Sequence, residues 1–147
     1  MGMTITGATN VQKHLQRIEK AVGDSPKRLI KIVSEARNRM KDRTNKGQTA
    51  AGGTFTPLDP VYAERKMKDN KSGIPDLHYE GHMLNAMQVK GISGGAEIYF
   101  NDEKQRKKAV AHHFGRGVPR RSFFTLGKKI EKYIFDEFRK PIRKAIQ

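Results

Sequence analysis

The chain has no cysteine, so disulfides, thiolate zinc sites and cysteine nucleophiles are excluded. Carboxylates are the next shortage: 15 Asp and Glu stand against 30 Lys and Arg, for a net charge of +15. They form no pair beside a lysine in the strand pattern that a nuclease needs, and no Ser/His/Asp spacing supports nucleophilic catalysis. No apolar run approaches the length of a membrane span. The opening Met-Gly-Met-Thr-Ile-Thr-Gly lacks the apolar core of a signal peptide, and Thr6 alone does not make it a myristoylation site. Apolar residues are 35% of the chain, below the usual globular share, so part of it is expected to lack one conformation or to be covered by partners. These absences predict a soluble protein made in a cytoplasm, with no enzymatic activity, cofactor or metal.

What is abundant is positive charge, and it is unevenly placed. Lys104 to Gln147 holds 14 basic and three acidic side chains, a net of +11, and the preceding residues carry the remaining +4. Such asymmetry suits a polyanion or an acidic protein surface, although plain solubility would also use it.

The fold class expected is α+β, with a small antiparallel hairpin at about 86–100 packed with helices and long helices at both ends. The 147 residues suit one domain, divided as 1–42 N-terminal helices, 43–56 mobile loop and 57–147 α+β core with the C-terminal helix. Asn10 is positioned to cap a helix with the stripe Val11, Leu15, Ile18 and Val22, which Gly23-Asp24 breaks. Ser25 and Pro26 then start a second helix, apolar at Leu29, Ile32, Val33, Ala36 and Met40, with a basic and simply solvated opposite face. Arg43 to Thr56 is small, polar and glycine-containing, which predicts a mobile loop ordered by assembly. Gly47 is not part of a phosphate-binding loop, since no Gly-Lys-Ser/Thr follows a strand.

Asp59 and Pro60 open a third helix with Val61, Tyr62 and Met67 as its apolar members and Lys66 as a polar one. A fourth helix is predicted from Asp76 to about Met87, with Gly81 inside it. Gln88–Ile92 and Ala96–Phe100 around Ser93-Gly94-Gly95 read as a hairpin. Asn101-Asp102 precedes a further helix, expected to begin nearer Lys107 because early lysines oppose the helix dipole. The last helix runs from about Thr125 to Ile146, with Pro141 set to kink it or end it near Lys140. His78 and His82 would share a helix face, but without a third ligand they read as packed or surface histidines. Of the adjacent pair His112-His113, one is expected near Phe114 and the other in solvent.

The segment Ala109–Phe124 is the focus. Gly115 and Gly117 bracket a turn, Pro119 sets an extended entry, and Arg120-Arg121 precede Phe123-Phe124. A connector pinned at both ends and charged between the pins is expected. Phe114, Gly115, Pro119, Phe123 and Phe124 are its anchors; Arg116, Arg120, Arg121, Lys107 and Lys108 are its interaction charges. Lys46, Gly47, Gly52, Gly53 and Phe55 of the preceding loop form a second contact. A basic nucleic-acid binder using the Lys104–Arg121 surface is the alternative.

Three motifs occur in one order: Phe55-Thr-Pro-Leu-Asp-Pro-Val-Tyr with Lys66; Leu77 with Glu80-Gly-His-Met-Leu-Asn-Ala86; and Ala109-Val-Ala-His-His-Phe-Gly115 with Pro119-Arg-Arg-Ser-Phe-Phe124. Together, over about residues 50–145, they resemble the virion morphogenesis, or tail-completion, family of tailed bacteriophages. Glu80, Met83 and Asp59 depart from that family's usual Thr or Ser, Leu and Ser. The resemblance implies a non-enzymatic structural protein that completes the tail and joins it to the head. It would form a ring, often of six copies, against tail-tube or sheath subunits and head connector or neck proteins. It would lie close to phage DNA and be assembled in the host cytoplasm into the virion.

Overall fold

The computed structural model describes residues 8–23 and 25–147. The expected roles of Met1–Gly7, of the Asn10 and Val11 side chains and of Asp24 lie outside the described residues. Among the described residues, six helices and one two-stranded antiparallel sheet follow in the order α1 (Ala8–Gly23), α2 (Ser25–Asn45), α3 (Pro60–Lys68), α4 (His82–Asn85), β1 (Met87–Ile92), β2 (Gly95–Phe100), α5 (Glu103–Phe114) and α6 (Lys128–Ile146).

The long α2 organises the rest. Its stripe Ile32, Val33, Ala36 and Met40 is buried, as the 3.6-residue period predicts. It packs on both strands of the hairpin and on α6, and α6 carries α1 on its other contact. Val89 stands opposite Ile98 and Met87 opposite Phe100 in the ladder. Ile98 and Phe100 lie against a core built from Ala36, Met40, Met87, Ala109, Phe123 and Ile130, so α2 belongs to the α+β core and not to a separate N-terminal unit.

The face of α2 expected to be solvated is so in part: Lys27, Lys31 and Arg39 are exposed, while Arg28, Arg37 and Lys41 are half-buried. Arg28 donates to the carbonyls of Ala21 (3.0 Å) and Phe138 (3.4 Å), and Arg39 pairs with Glu35 (3.0 Å) while its guanidinium lies 3.8 Å from the centre of the Tyr133 ring. Long basic side chains have apolar stems and planar heads that can cover a neighbouring helix. Ser25 is the first residue of α2 and sends its hydroxyl back to the Ala21 carbonyl (3.4 Å), where a cap was expected.

Several boundaries differ from the sequence expectation for identifiable reasons. The segment taken as a mobile loop from Arg43 is helical as far as Asn45. Beyond it, a bridge pairs Gln48 with Thr54, the Phe55 amide donates to Gly47 (2.8 Å), and the Phe55 ring is buried in the core. The predicted helix from Asp76 is reduced to one turn, His82–Asn85, because Leu77 and Gly81 both have positive φ and Gly81 caps the turn instead of lying inside it. Helix α5 starts at Glu103, not near Lys107. Asp102 caps it by accepting from the Gln105 amide (2.8 Å), and Glu103 offsets the early cations by pairing with Lys107 (3.2 Å). Helix α6 starts at Lys128 and continues through Pro141 to Ile146.

Helix α3 inverts its expected faces. Asp59 caps it through Val61 (3.0 Å) and Tyr62 (3.2 Å), as the sequence predicts. Val61 and Met67 are nevertheless exposed, and Lys66 is 2% exposed. The Lys66 ammonium forms an ion pair with buried Asp76 and donates to the Ile74 carbonyl (3.1 Å). Asp76 also accepts from the His78 amide (3.0 Å), which holds the Ile74–His78 turn and the positive φ of Leu77. Removing one member leaves the other charge buried and unpaired. Lys66→Met is expected to destabilise the chain by about 3–5 kcal/mol in urea unfolding. Lys66→Met with Asp76→Leu should recover much of that loss, and a double-variant loss equal to the sum of the Lys66→Met and Asp76→Leu losses would show that the pair is not coupled.

Candidate interaction site

The Ala109–Phe124 segment begins as the last turns of α5. Gly115 ends the helix in the left-handed conformation (φ 73°), and a Cβ there would stand 2.9 Å from that of Arg120. The turn folds back: the Arg116 amide donates to Ala111 (2.8 Å) and the Arg121 amide to His112 (2.7 Å). The connector is therefore fastened to the helix it leaves.

The structure divides the expected anchors. Phe123 is 1% exposed, and Phe124 packs on Phe100 with ring centres 5.3 Å apart. Phe114 is not an anchor: it is 57% exposed, with the Arg116 guanidinium 5.5 Å from its ring centre. Pro119 is exposed and shapes the chain without being buried.

The expected interaction charges divide as well. Arg121 is 5% exposed, and its guanidinium donates to the carbonyls of Thr56 (3.2 Å) and Pro57 (3.3 Å). It is thus a structural tie, with burial lowering its pKa. Arg116 and Arg120 are exposed, and Arg120 donates to the Ser122 hydroxyl (3.1 Å). Lys107 is exposed but paired with Glu103, whereas Lys108 is exposed with no ion-pair partner among the described residues. In the second contact, Lys46, Gly52 and Gly53 are exposed while Gly47 and Phe55 are buried, so only the tip of the loop is available.

Sequence reasoning missed Arg43. From the last turn of α2 it donates to the carbonyls of Phe123 (2.8 Å), Thr125 (2.5 Å) and Leu126 (2.9 Å). The signal available was an arginine at a helix end followed in the fold by backbone without secondary structure. Gly127 completes this junction: its φ of 74° and ψ of 156° suit glycine alone, and a Cβ would stand 2.7 Å from the Ala50 carbonyl oxygen.

Two clefts flank α5. One, of about 630 Å³, lies against β2 and is lined by Ile98, Phe100, Ala109, Val110 and Phe114. The other, of about 640 Å³, lies between α3, the 75–83 segment, α5 and the connector, and Tyr62, Lys66, Lys108, His112 and Arg121 line it. His78 and His82 also reach this second cleft. The helix that would have placed them on one face is absent: His78 meets Asn45 (3.3 Å) and His82 meets Glu80 (3.1 Å). Among the described residues no cluster of three or more metal-ligating side chains is present. No helix there is long and apolar enough to cross a membrane.

Neither His112 nor His113 faces solvent freely. His113 stands edge-on to Phe114, and both rings bury an Nδ1 atom without a partner among the described residues. Burial, then the nearby Arg121 and Lys108, lowers the pKa of His112; burial, then Arg120, lowers that of His113.

No family model, no curated protein and no solved structure matches the chain.

Two outcomes are expected of these groups. Arg121→Ala removes a charged donor from two carbonyls and should cost roughly 2–3 kcal/mol in chemical unfolding, while exposed Arg120→Ala should stay within about 0.5 kcal/mol. Equal effects would contradict the division between tie and free charge. The depressed imidazoles also set a pH dependence. The unfolded chain takes up protons near the ordinary value of 6.5 before the folded chain does, so stability is full above that pH and falls as pH is lowered through it. His112→Asn with His113→Asn should flatten the unfolding midpoint between about pH 7.5 and about pH 5.5. An unchanged slope would show that these imidazoles protonate as readily in the fold as out of it.

Proposed function

We propose that the chain is a structural virion protein of the tailed-bacteriophage morphogenesis type, completing the tail as a ring-forming subunit and joining it to the head. The ordered resemblance in residues 50–145 supports this role. So does the position of its three motifs, since Phe55, Met83, Leu84, Ala109 and Phe123 meet in one core. The observation that carries the assembly part of the proposal is the bare apolar surface on the paired helices α1 and α6. Leu15, Val22, Phe135 and Ile146 are all more than half exposed there, on a chain short of apolar residues. The two helices run antiparallel: His14 reaches the Ile146 carbonyl (3.2 Å), and Arg28 joins Ala21 to Phe138. A neighbouring copy would cover this edge.

The other partners proposed are tail-tube or sheath subunits, head connector or neck proteins, and DNA passing close by. The virion tail or neck is the proposed location. Exposed Lys104, Lys108, Arg116 and Arg120 also suit nucleic-acid binding. Burial of Arg121 and pairing of Arg106 (3.9 Å) and Lys107 (3.2 Å) with Glu103 leave fewer free cations than the sequence count implies.

Light scattering over a wide concentration range, in low and high salt and with short duplex DNA, tests the proposal. A ring-sized mass without DNA is expected, and Leu15→Glu with Phe135→Glu should reduce it to the monomer. A monomer that gains mass only with DNA, and loses it in salt, would favour the nucleic-acid binder instead.

A further inference from the structure

We propose that the hairpin is a joint between copies of this chain: β2 of one copy takes β1 of the next as an added antiparallel strand. This joint rests on the self-assembly proposed above and names the backbone that carries it.

A two-stranded sheet leaves one edge of each strand without a partner strand, and the ladder fixes which groups lie there. Ile92 and Gly95 close the hairpin around Ser93-Gly94, and beyond its other end the Asn101 amide donates to the Ala86 carbonyl (3.0 Å) in the same register. Antiparallel pairs alternate between bonded and unbonded. The bonded pairs within the hairpin are therefore Gln88–Tyr99, Lys90–Glu97 and Ile92–Gly95. The residues between them turn their N–H and C=O groups outward: Ala96, Ile98 and Phe100 on β2, Val89 and Gly91 on β1. None of these outward groups has a backbone partner among the described residues. On β1 the carbonyl of Met87 is already met by Arg37 (3.5 Å), so its open stretch is Val89–Gly91. Edge strands are usually blunted by proline or a bulge, and β2 has neither. Nor does α5 close the space beside it: the cleft of about 630 Å³ separates β2 from Val110 and Phe114.

The register selects the occupant. With Val89 of the next copy opposite Ile98, Gly91 stands opposite Ala96 and Lys90 opposite Glu97. Each Glu97 then lies between its own Lys90 (3.4 Å) and the neighbour's, on the open face of the sheet. Val89 of the neighbour lies beside Ile98, which lines the apolar cleft. Pairing a strand with its own copy is worse. Joining β2 to β2 through Ile98 sets the two Glu97 side chains on a diagonal, and joining β1 to β1 through Val89 does the same to Lys90, with no opposite charge across the joint. Either of these also leaves the remaining edge of every copy bare. Head-to-tail pairing uses both edges, and its repetition generates a ring where the rotation closes.

Amide hydrogen exchange of the full chain, below and above the concentration at which light scattering shows assembly, tests the joint. In the assembled sample the amides of Val89, Gly91, Ala96, Ile98 and Phe100 should exchange at least about tenfold more slowly. Those of Gln88 and Tyr99, bonded within each hairpin, should be slow in both samples. Ala96→Pro deletes one outward N–H and no ladder bond. The hairpin should stay folded, with Gln88 and Tyr99 still protected, while assembly moves to at least about tenfold higher concentration. Charge reversal supplies variants that keep the backbone. Glu97→Lys and Lys90→Glu chains should each assemble less than the natural chain, and an equal mixture should recover, because alternating copies again set Lys against Glu. A mixture that assembles no better than either variant alone would overturn the register. Protection confined to β2 would overturn head-to-tail pairing. A ring-sized mass whose outward amides exchange as fast as in the dilute sample removes this joint alone. Open chains with those amides protected remove the ring alone, and a monomer at every concentration overturns both.

Discussion

Backbone that forms neither helix nor strand is held in place by what its polar groups bond to, and here two arginines take five of its carbonyls. Arg43, at the end of α2, gathers three carbonyls of the stretch leading into α6. Arg121, inside the connector, gathers two carbonyls of the stretch leading into α3. Each tie runs from one irregular segment, or the helix before it, into another. The connector and the 46–58 segment are thereby fastened across some 65–80 positions of sequence. A guanidinium suits this work because its planar fork aims several donors at once and stays charged when partly buried. A lysine would reach one carbonyl at a time.

Structural use of charge explains how a chain with +15 presents so few unpaired cations near its connector. Arg43 and Arg121 hold carbonyls, Lys66 neutralises Asp76 inside the fold, Arg28 and Arg39 cover α6 and its contacts, and Arg106 and Lys107 answer Glu103. What is left around α5 is a short set: Lys104, Lys108, Arg116 and Arg120 at the surface. Of these, Lys108 lines the cleft between α3 and the connector, and Arg116 stands 5.5 Å from the centre of the exposed Phe114 ring. Separation of tying cations from free ones lets the connector be rigid and charged together, which a docking surface requires.

Much of the fold was legible in local pattern. The α2 stripe, the Asp59–Pro60 start of α3, the hairpin around Ser93-Gly94 and the Gly115 helix end all follow from the period and the conformational preference of single residues. The candidate site was half legible. Gly115 and Phe123 anchor the connector as expected and Arg116 and Arg120 are exposed, while Arg121 and Phe114 exchange places, the charge going inside and the ring outside. That exchange has no local signature. It depends on carbonyls of Thr56 and Pro57, far away in sequence, that the fold brings within reach of the Arg121 guanidinium.

The sequence by itself determined where the chain could be helical or extended, because hydrophobic spacing, caps and glycine conformations act within a few residues. It also determined the excess of positive charge and the absence of thiol chemistry, which are sums over residues. Only the tertiary structure decided which charges are spent inside the fold and which remain outside. It shortened the Asp76 helix to one turn, because Asp76 pairs with Lys66 ten residues away and Gly81 turns the chain. It closed the 46–56 segment over a buried Phe55, because the core had room for that ring. Desolvation is the common cause: whether a lysine, an arginine or an aromatic ring is better buried depends on the partners that packing brings to it.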